Sequence, residues 1–416
     1  MTFSRPEPLV RSARVHRSAL EFHNARLFVA GQALSNVGTF SQIVALSLLV
    51  LSLTDSGVAL GAVMAVQSVP MIALGPWAGA HLDRLPLRNV LLLTSIAGAA
   101  QAACMGFLSA TNAINLVWIF GLSLLLGVVQ VFDRPAAQAF LVELVPRDAV
   151  PSAVGFASSA QSIGRLGGPA LAAVLFAWSG SATVFAVNAL SYTAVLLALV
   201  LLRSSELLPR VLHSSKRTSM ATAVGFARRA PQVRDVLIAN AIIGLLAFNF
   251  PTFLASLASL TFGQPSLFGV AESLNALTAL LAGLLLARYL RQPTLALVGV
   301  AAIALGSSLL WTALSPTPAV FLASMLYFGL VVVAYTTASQ ALVQQHSPPE
   351  MGGRMMSLFT LGSMGTTPLG AILVGLVIDH VSPRAAIGLG AASALVSGIV
   401  LLLRARDGVR NTAASH

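Results

Sequence analysis

The chain has 416 residues, 56% of them hydrophobic and only 9% charged, against about a quarter charged in an ordinary soluble globule. This balance excludes a water-soluble fold and specifies a polytopic membrane protein. The net charge of +11 requires no nucleic-acid partner, because basic loops resting on anionic headgroups account for it.

Apolar windows long enough to cross a bilayer recur twelve times, over residues 27–53, 58–80, 89–110, 115–133, 152–178, 182–202, 236–262, 267–287, 294–314, 318–342, 355–378 and 385–403. The expected fold is all-α and membrane-integral. It divides into a basic tail over 1–26, a six-helix half over 27–202, a central loop over 203–235, a second six-helix half over 236–404 and a tail over 405–416. With the N-terminus inside, all of the 24 basic residues except Arg165 and Arg384 fall in cytoplasmic segments. The positive-inside rule then puts both termini on the cytoplasmic side of the inner membrane. The first 26 residues carry five arginines and no apolar run, which reads as a cytosolic tail and not a signal peptide.

Cys104 is the only cysteine, so no intrachain disulfide is expected. The seven histidines lie in tails or at loop edges, which argues against a buried metal site. No G-x-x-x-x-G-K-[ST] run cradles a nucleotide, and no Ser-His-Asp set stands out. The expectation is no enzyme, no cofactor and no metal, with a small-molecule substrate, protons and the bilayer as partners of a monomer.

The first span carries Gln32, Ser35, Asn36, Thr39 and Gln42 along one face at helical spacing, a stripe that lipid would not tolerate. It either lines a wet cavity, with Gln32, Asn36 and Thr39 as binding candidates, or supplies hydrogen bonds between helices. The loop after the second span reads GAHLDRLPLRN. In it Gly79, Asp83 and Arg88 form a G-x-x-x-D-x-x-x-x-R pattern, with Arg84 beside the acid. Gly375, Asp379 and Arg384 repeat the spacing after the eleventh span, and the predicted topology sets the two copies on opposite faces, as inverted three-helix units would. The fourth span ends in QVFDRPAAQAF, which puts Asp133 and Arg134 at the cytoplasmic edge as a paired, structural set.

Between Asp148 and Arg203 the one charged residue is Arg165, about midway along an otherwise membrane-spanning stretch. An arginine at bilayer depth faces the interior of a bundle or a watery cavity, and is a functional candidate by default. Ser158, Gln161 and Arg165 share one stripe. Gly164, Gly168 and Ala172 form the next, a small-residue pattern that predicts close contact with another helix, and Pro169 removes a backbone donor there. The passage leading into the eleventh span parallels this one, with Pro368 in the place of Pro169 and Met364 in that of Arg165.

In the central loop, Met220 to Arg234 predicts a short surface helix with Val224, Phe226 and Ala227 toward the bilayer. Asn240, Asn249 and Pro251 mark the seventh span as polar and breakable. Glu272, Asn275 and Thr278 stripe the eighth, and Tyr335 belongs to the polar residues of the tenth. The ninth and twelfth spans hold nothing more polar than serine and threonine, which suits lipid-facing positions.

Twelve spans, a basic central loop and related halves resemble the major facilitator superfamily of secondary transporters over about residues 27–404. The Gly79 to Arg88 loop is similar to that superfamily's loop signature, keeping Gly79, Asp83, Arg84 and Arg88 but departing at His81 and Pro86. Gly164, Gly168 and Pro169 resemble the G-x-x-x-G-P core of its exporters' fifth-helix motif. The strings DRPAAQAFLVELVP and GRLGGPALA resemble more particularly the bacterial enterobactin-exporter and macrolide-efflux branch. The resemblance implies two pseudo-symmetric six-helix halves and proton-coupled export of an amphipathic small molecule, a siderophore, macrolide or other drug-like compound. It implies gating roles for the loop and for Gly164, Gly168, Pro169 and Pro368, and a cavity that Gln161, Arg165, Asn240, Asn249 and Tyr335 would help to line.

That branch often has an acid after the glycine in the middle of the first helix, where this chain has Thr39 after Gly38. Proton coupling then falls to Glu272 or Asp133. Glu272 is the better carrier, since no basic residue lies between Arg234 and Arg288, unless it only marks the outer headgroup level near the start of its span. Proton-coupled uptake fits the same fold, and a transporter-like sensor or scaffold is the reading from another class.

Overall fold

The computed structural model describes residues 18–82, 84–208, 220–289, 293–348 and 351–414. Among the described residues the chain is helical, with no strand. α1 (His23–Thr54), α2 (Gly57–Leu82), α3 (Leu87–Ala110) and α4 (Leu116–Glu143) follow one another. α5 (Val150–Leu201) is a single 52-residue run by its hydrogen bonds, but Gly180 inside it adopts φ 74° and ψ −167°, a region that belongs almost to glycine alone. The chain doubles back at that point. The first limb of α5 runs parallel to α1, with Gly164 against Asn36 and Gly168 against Phe40; the second runs antiparallel to it, with Gly31 against Ala194 and Gly38 against Asn188. The 11 helices long and apolar enough to cross a membrane therefore make the twelve crossings read from the sequence.

The second half begins with α6 (Met220–Arg229) and continues through α7 (Pro231–Leu246), α8 (Phe250–Ser256), α9 (Ser266–Tyr289), α10 (Leu295–Ala313), α11 (Pro318–Gln345), α12 (Gly352–Thr360), α13 (Thr367–His380) and α14 (Pro383–Ala414). The seventh crossing breaks between α7 and α8 at Asn249, just before Pro251, and ends in a π turn over Leu257–Thr261. The eleventh breaks between α12 and α13 through a π turn over Leu361–Gly365, ahead of Pro368. Proline lacks the donor and crowds the preceding turn, and a widened turn accommodates both. Pro169 instead lies within continuous helix. The two prolines are matched in sequence, but only the second goes with a break.

Two readings change. α4 does not end at Asp133 and Arg134 but runs through Pro135 to Glu143, because Ala136, Phe140 and Leu141 bury a stripe that includes the Phe28–Phe140 ring contact at 5.3 Å. Both charges are thereby carried inside the bundle. α6 turns Ala223 and Ala227 into the protein core, against α7 and α12, so its apolar face is not given over to lipid as predicted. The ninth and twelfth crossings, α10 and α14, pack on one another through Gly299 and Gly398.

The first and second halves repeat one packing scheme. Gly164 and Gly168 seat α5 on α1; Gly244 and Gly370 seat α7 on the eleventh crossing, with Gly244 against Ser363 and Gly370 against Leu245. A β-carbon at any of these positions would strike the facing helix, so glycine sets the interhelical distance.

Candidate functional site

The face carrying His23, Leu202 and Arg404 is called here the tail face. At the opposite face the halves close backbone to backbone. Gly61 of α2 lies on the Ala371 carbonyl of α13, Gly375 lies on Gly57, and Gly269 of α9 lies on the Pro169 carbonyl and the Ala173 methyl of α5. Toward the tail face the first limb of α5 emerges from this contact, and Ser158, Ser159, Gln161 and Arg165 are exposed. Among the described residues these close approaches between the halves lie toward the face opposite the tails, while this part of α5 is exposed.

Charged groups gather just tailward of these contacts. Arg165 lies one turn tailward of Pro169, with its guanidinium carbon 5.7 Å from the centre of the Phe40 ring on α1, a cation–π contact. Glu272, one turn tailward of Gly269, lies within electrostatic range of Arg165 from the other half and accepts a long 3.5 Å contact from Asn275 Nδ2. Arg134 lies within range of both Arg165 and Asp133, and Asp133 Oδ1 accepts a 2.7 Å hydrogen bond from Thr94 Oγ1 of α3. Tyr192, on the second limb of α5, lies beside Asp133 and Thr39.

Two acids and two arginines thus run from α4 through α5 to α9, and among the described residues no direct ion pair joins any two of them. Charges held at membrane depth without closing on one another stay available to a substrate or a proton.

The polar stripe of α1 divides. Gln32, Asn36 and Thr39 are half-buried on the side of the interior, whereas Gln42 is buried in an amide chain. In that chain Gln42 Nε2 donates to Gln101 Oε1 at 3.1 Å, and Asn188 Nδ2 donates to Gln42 Oε1 at 2.6 Å. Ser41 Oγ donates to the Gly168 carbonyl at 2.7 Å. The stripe is half-buried at one register and interhelical glue at the next.

Three predicted cavity residues do not line the space between the halves. Asn240 is fully buried and donates to the Phe359 carbonyl at 2.9 Å, fastening α7 to α12. Asn249 donates to the Leu245 carbonyl at 2.9 Å, filling the break between α7 and α8. Tyr335 is fully buried, its ring edge-on to Phe248 at 6.3 Å. Thr278 is likewise spent on the Leu274 carbonyl of its own helix, at 3.0 Å. Buried amides and hydroxyls seek backbone carbonyls wherever a helix breaks or packs closely, and periodicity alone does not separate that use from lining a cavity.

Of the predicted latch, Asp83 lies outside the described residues and Arg84 is exposed. Arg88 Nε donates to the Leu199 carbonyl at 3.0 Å and its Nη1 to Ser204 Oγ at 3.1 Å, so it caps the end of α5 within its own half. In the repeated copy Arg384 Nη2 donates to the Ser315 carbonyl at 2.9 Å, just past the end of α10. Phe40, Thr94 and Tyr192 were not anticipated as site residues. Arg134 could have been, had the apolar stripe beyond Pro135 been followed.

Residues 20–415 match the family model described as transmembrane secretion effector. The chain is similar to a staphyloferrin A transporter of Staphylococcus aureus, 25% identical over 85% of this chain and 89% of that protein. It is also similar to macrolide efflux protein A of Streptococcus pyogenes, 24% identical over 85% and 88%. A third relative, the multidrug efflux pump Tap of Mycolicibacterium fortuitum, is 22% identical over 83% and 87%. Among solved structures, a POT family transporter in complex with a thioalcohol-conjugated peptide superposes with a TM-score of 0.73 at 12% identity, over 92% of this chain and 96% of that one. An inward-facing bacterial homologue of the human lysosomal transporter Spinster gives 0.69 at 14%, over 92% and 94%.

Proposed function

The chain belongs to the transmembrane secretion effector family of the major facilitator superfamily and is a multi-pass membrane transporter, not an enzyme; from that premise we propose that it exports an amphipathic small molecule by proton antiport. The substrate class is siderophore-like or macrolide-like, in keeping with what the relatives are named for. The tail face is cytoplasmic, by the positive-inside distribution of arginine. The space between the halves takes substrate from that side, and rocking of the halves about the glycine-lined contacts delivers it to the other.

The observation that carries this reading is the approach of Arg165 and Glu272 from opposite halves just tailward of the glycine-lined contacts. A proton and a hydrogen-bond donor of the substrate are alternatives at the Glu272 carboxylate, which is what antiport requires, while Arg165 holds a polar group of the substrate from the other half. Asp133, with Thr94 and Arg134, is the second carboxylate of the same set. Gln32, Asn36, Thr39 and Gln161 supply polar contacts along the wall. Asp83, Arg84 and Arg88 hold the closed form, as the likeness of their loop to the superfamily's signature suggests, and Gly79 belongs to the same signature.

Flux measured in inside-out vesicles, with an imposed proton gradient and a panel of dyes, macrolides and siderophores, tests direction and coupling together. Substrate accumulation that collapses with the gradient is expected. Accumulation indifferent to the gradient would remove proton antiport, and movement only in the opposite sense would make the protein an importer.

A further inference from the structure

The second copy of the G-x-x-x-D-x-x-x-x-R pattern has no part in the site described above, yet among the described residues its acid makes the most elaborate polar contact between the halves. Asp379, at the end of α13, accepts from Ser56 Oγ at 2.6 Å, from the Gly57 N–H, and from the Val58 N–H at 3.1 Å. These are the first groups of α2, in the other half, and Ser56 Oγ also accepts from the Ala59 N–H at 3.1 Å. One carboxylate thus closes the free N-terminus of a helix to which its own half has no covalent tie nearby, where the backbone donors and the helix dipole both favour a negative charge. The glycines of the same stretch, Gly375 on Gly57 and Gly61 on Ala371, bring the two backbones close enough for the carboxylate to reach.

The arginines of the two copies also correspond. Arg88 holds the end of α5 and Arg384 the end of α10, each within its own half and on opposite faces. We infer that Asp379 is the clasp of the face opposite the tails: it holds α2 of one half to α13 of the other while the transporter is open to the tail face, and it must let go for the opposite opening. Ser56 and the α2 N-terminus are its receptor. The inference rests on the alternating-access reading proposed above, and it assigns a positioning role to a residue that touches neither substrate nor proton site.

The test uses paired spin labels on the full-length protein in lipid nanodiscs, in a Cys104→Ser background. One pair, Ala113→Cys with Leu314→Cys, reports the face opposite the tails; another, Asp148→Cys with Gln344→Cys, reports the tail face. In Asp379→Ala the wide component of the first pair is expected to grow about fivefold, the population change that losing one charged helix-end contact produces. The second pair should narrow by the same fraction, with the melting temperature little changed. Ser56→Ala, which leaves the carboxylate and two donors in place, should give a smaller shift in the same sense, and Asp379→Glu should return part of the parent distribution.

Unchanged distances in Asp379→Ala would overturn the clasp. So would widening of the first pair without narrowing of the second, since that marks a frayed helix end and not a displaced equilibrium. A parent protein whose two pairs never exchange under substrate and proton gradient would remove alternating access itself, and the clasp with it, whereas exchange in the parent without a response to Asp379→Ala removes the clasp alone.

Discussion

The first and second halves share one frame and divide the work. In the first, α1 is seated on α5 by Gly164 and Gly168, and its buried amide Gln42 joins side chains from α3 and the second limb of α5. In the second, α7 is seated on the eleventh crossing by Gly244 and Gly370, and its amide Asn240 is tied to a backbone carbonyl. The interiors differ more than the frames. Asp133, Arg134 and Arg165 all belong to the first half, while the second offers Glu272 and packs its own interior with an aromatic group in which Phe250 meets Phe328 at 4.6 Å and Phe248 meets Tyr335. One half gathers three of the four charges, and the other brings one acid to them while turning Phe328 and Tyr335 into its core. Symmetry of packing does not carry symmetry of chemistry.

The sharpest way to break this division is to neutralise Glu272, the acid that the second half brings to the charged group. Glu272→Gln mimics the protonated carboxyl, and gradient-driven efflux from inside-out vesicles should fall to background while substrate binding, read by ligand-induced fluorescence change, stays within about twofold. Full proton-driven efflux in this variant would hand the role to Asp133. Next in size is Arg165. Arg165→Ala should lower transport about a hundredfold, ~3 kcal/mol, the scale of losing one charged hydrogen-bond donor to the transported molecule. Arg165→Lys should recover only part, because lysine keeps the charge but not the planar fork over Phe40.

The frame should respond more mildly and in stability more than in flux. Gln42→Leu strands the partners at Gln101 and Asn188, and should cost about 1–2 kcal/mol in a detergent unfolding titration. Asn240→Leu releases one bond to a backbone carbonyl, and about 0.6 kcal/mol is expected. Equal costs would mean that the two halves are fastened alike.

The architecture was legible because it rests on one-dimensional signals. Apolar length gave the crossings, and the small-residue stripe of the fifth span gave its contact with α1. Arg165 was legible for the same reason, as the one charge in a long apolar stretch. Asn240, Asn249 and Tyr335 misled because a polar residue in a span is equally at home plugging a helix break. Asp133 and Arg134 were set too shallow because the Pro135 that follows them looks like a helix stop and is not one. The facing of Arg165 and Glu272 could not be read at all, since it depends on two helices more than a hundred positions apart being brought level by Gly269 against Pro169.

That last contact, with Gly61 on Ala371 and Gly375 on Gly57, has an electrical consequence. A bilayer that stores a proton gradient is short-circuited by any continuous thread of water, and a barrier built of long side chains opens such a thread each time a rotamer flips. Here the closest contacts of the barrier are main chain against main chain. Under the antiport proposed above, such a barrier would open only when two whole halves move, and each proton that crosses would be tied to a turn of the cycle.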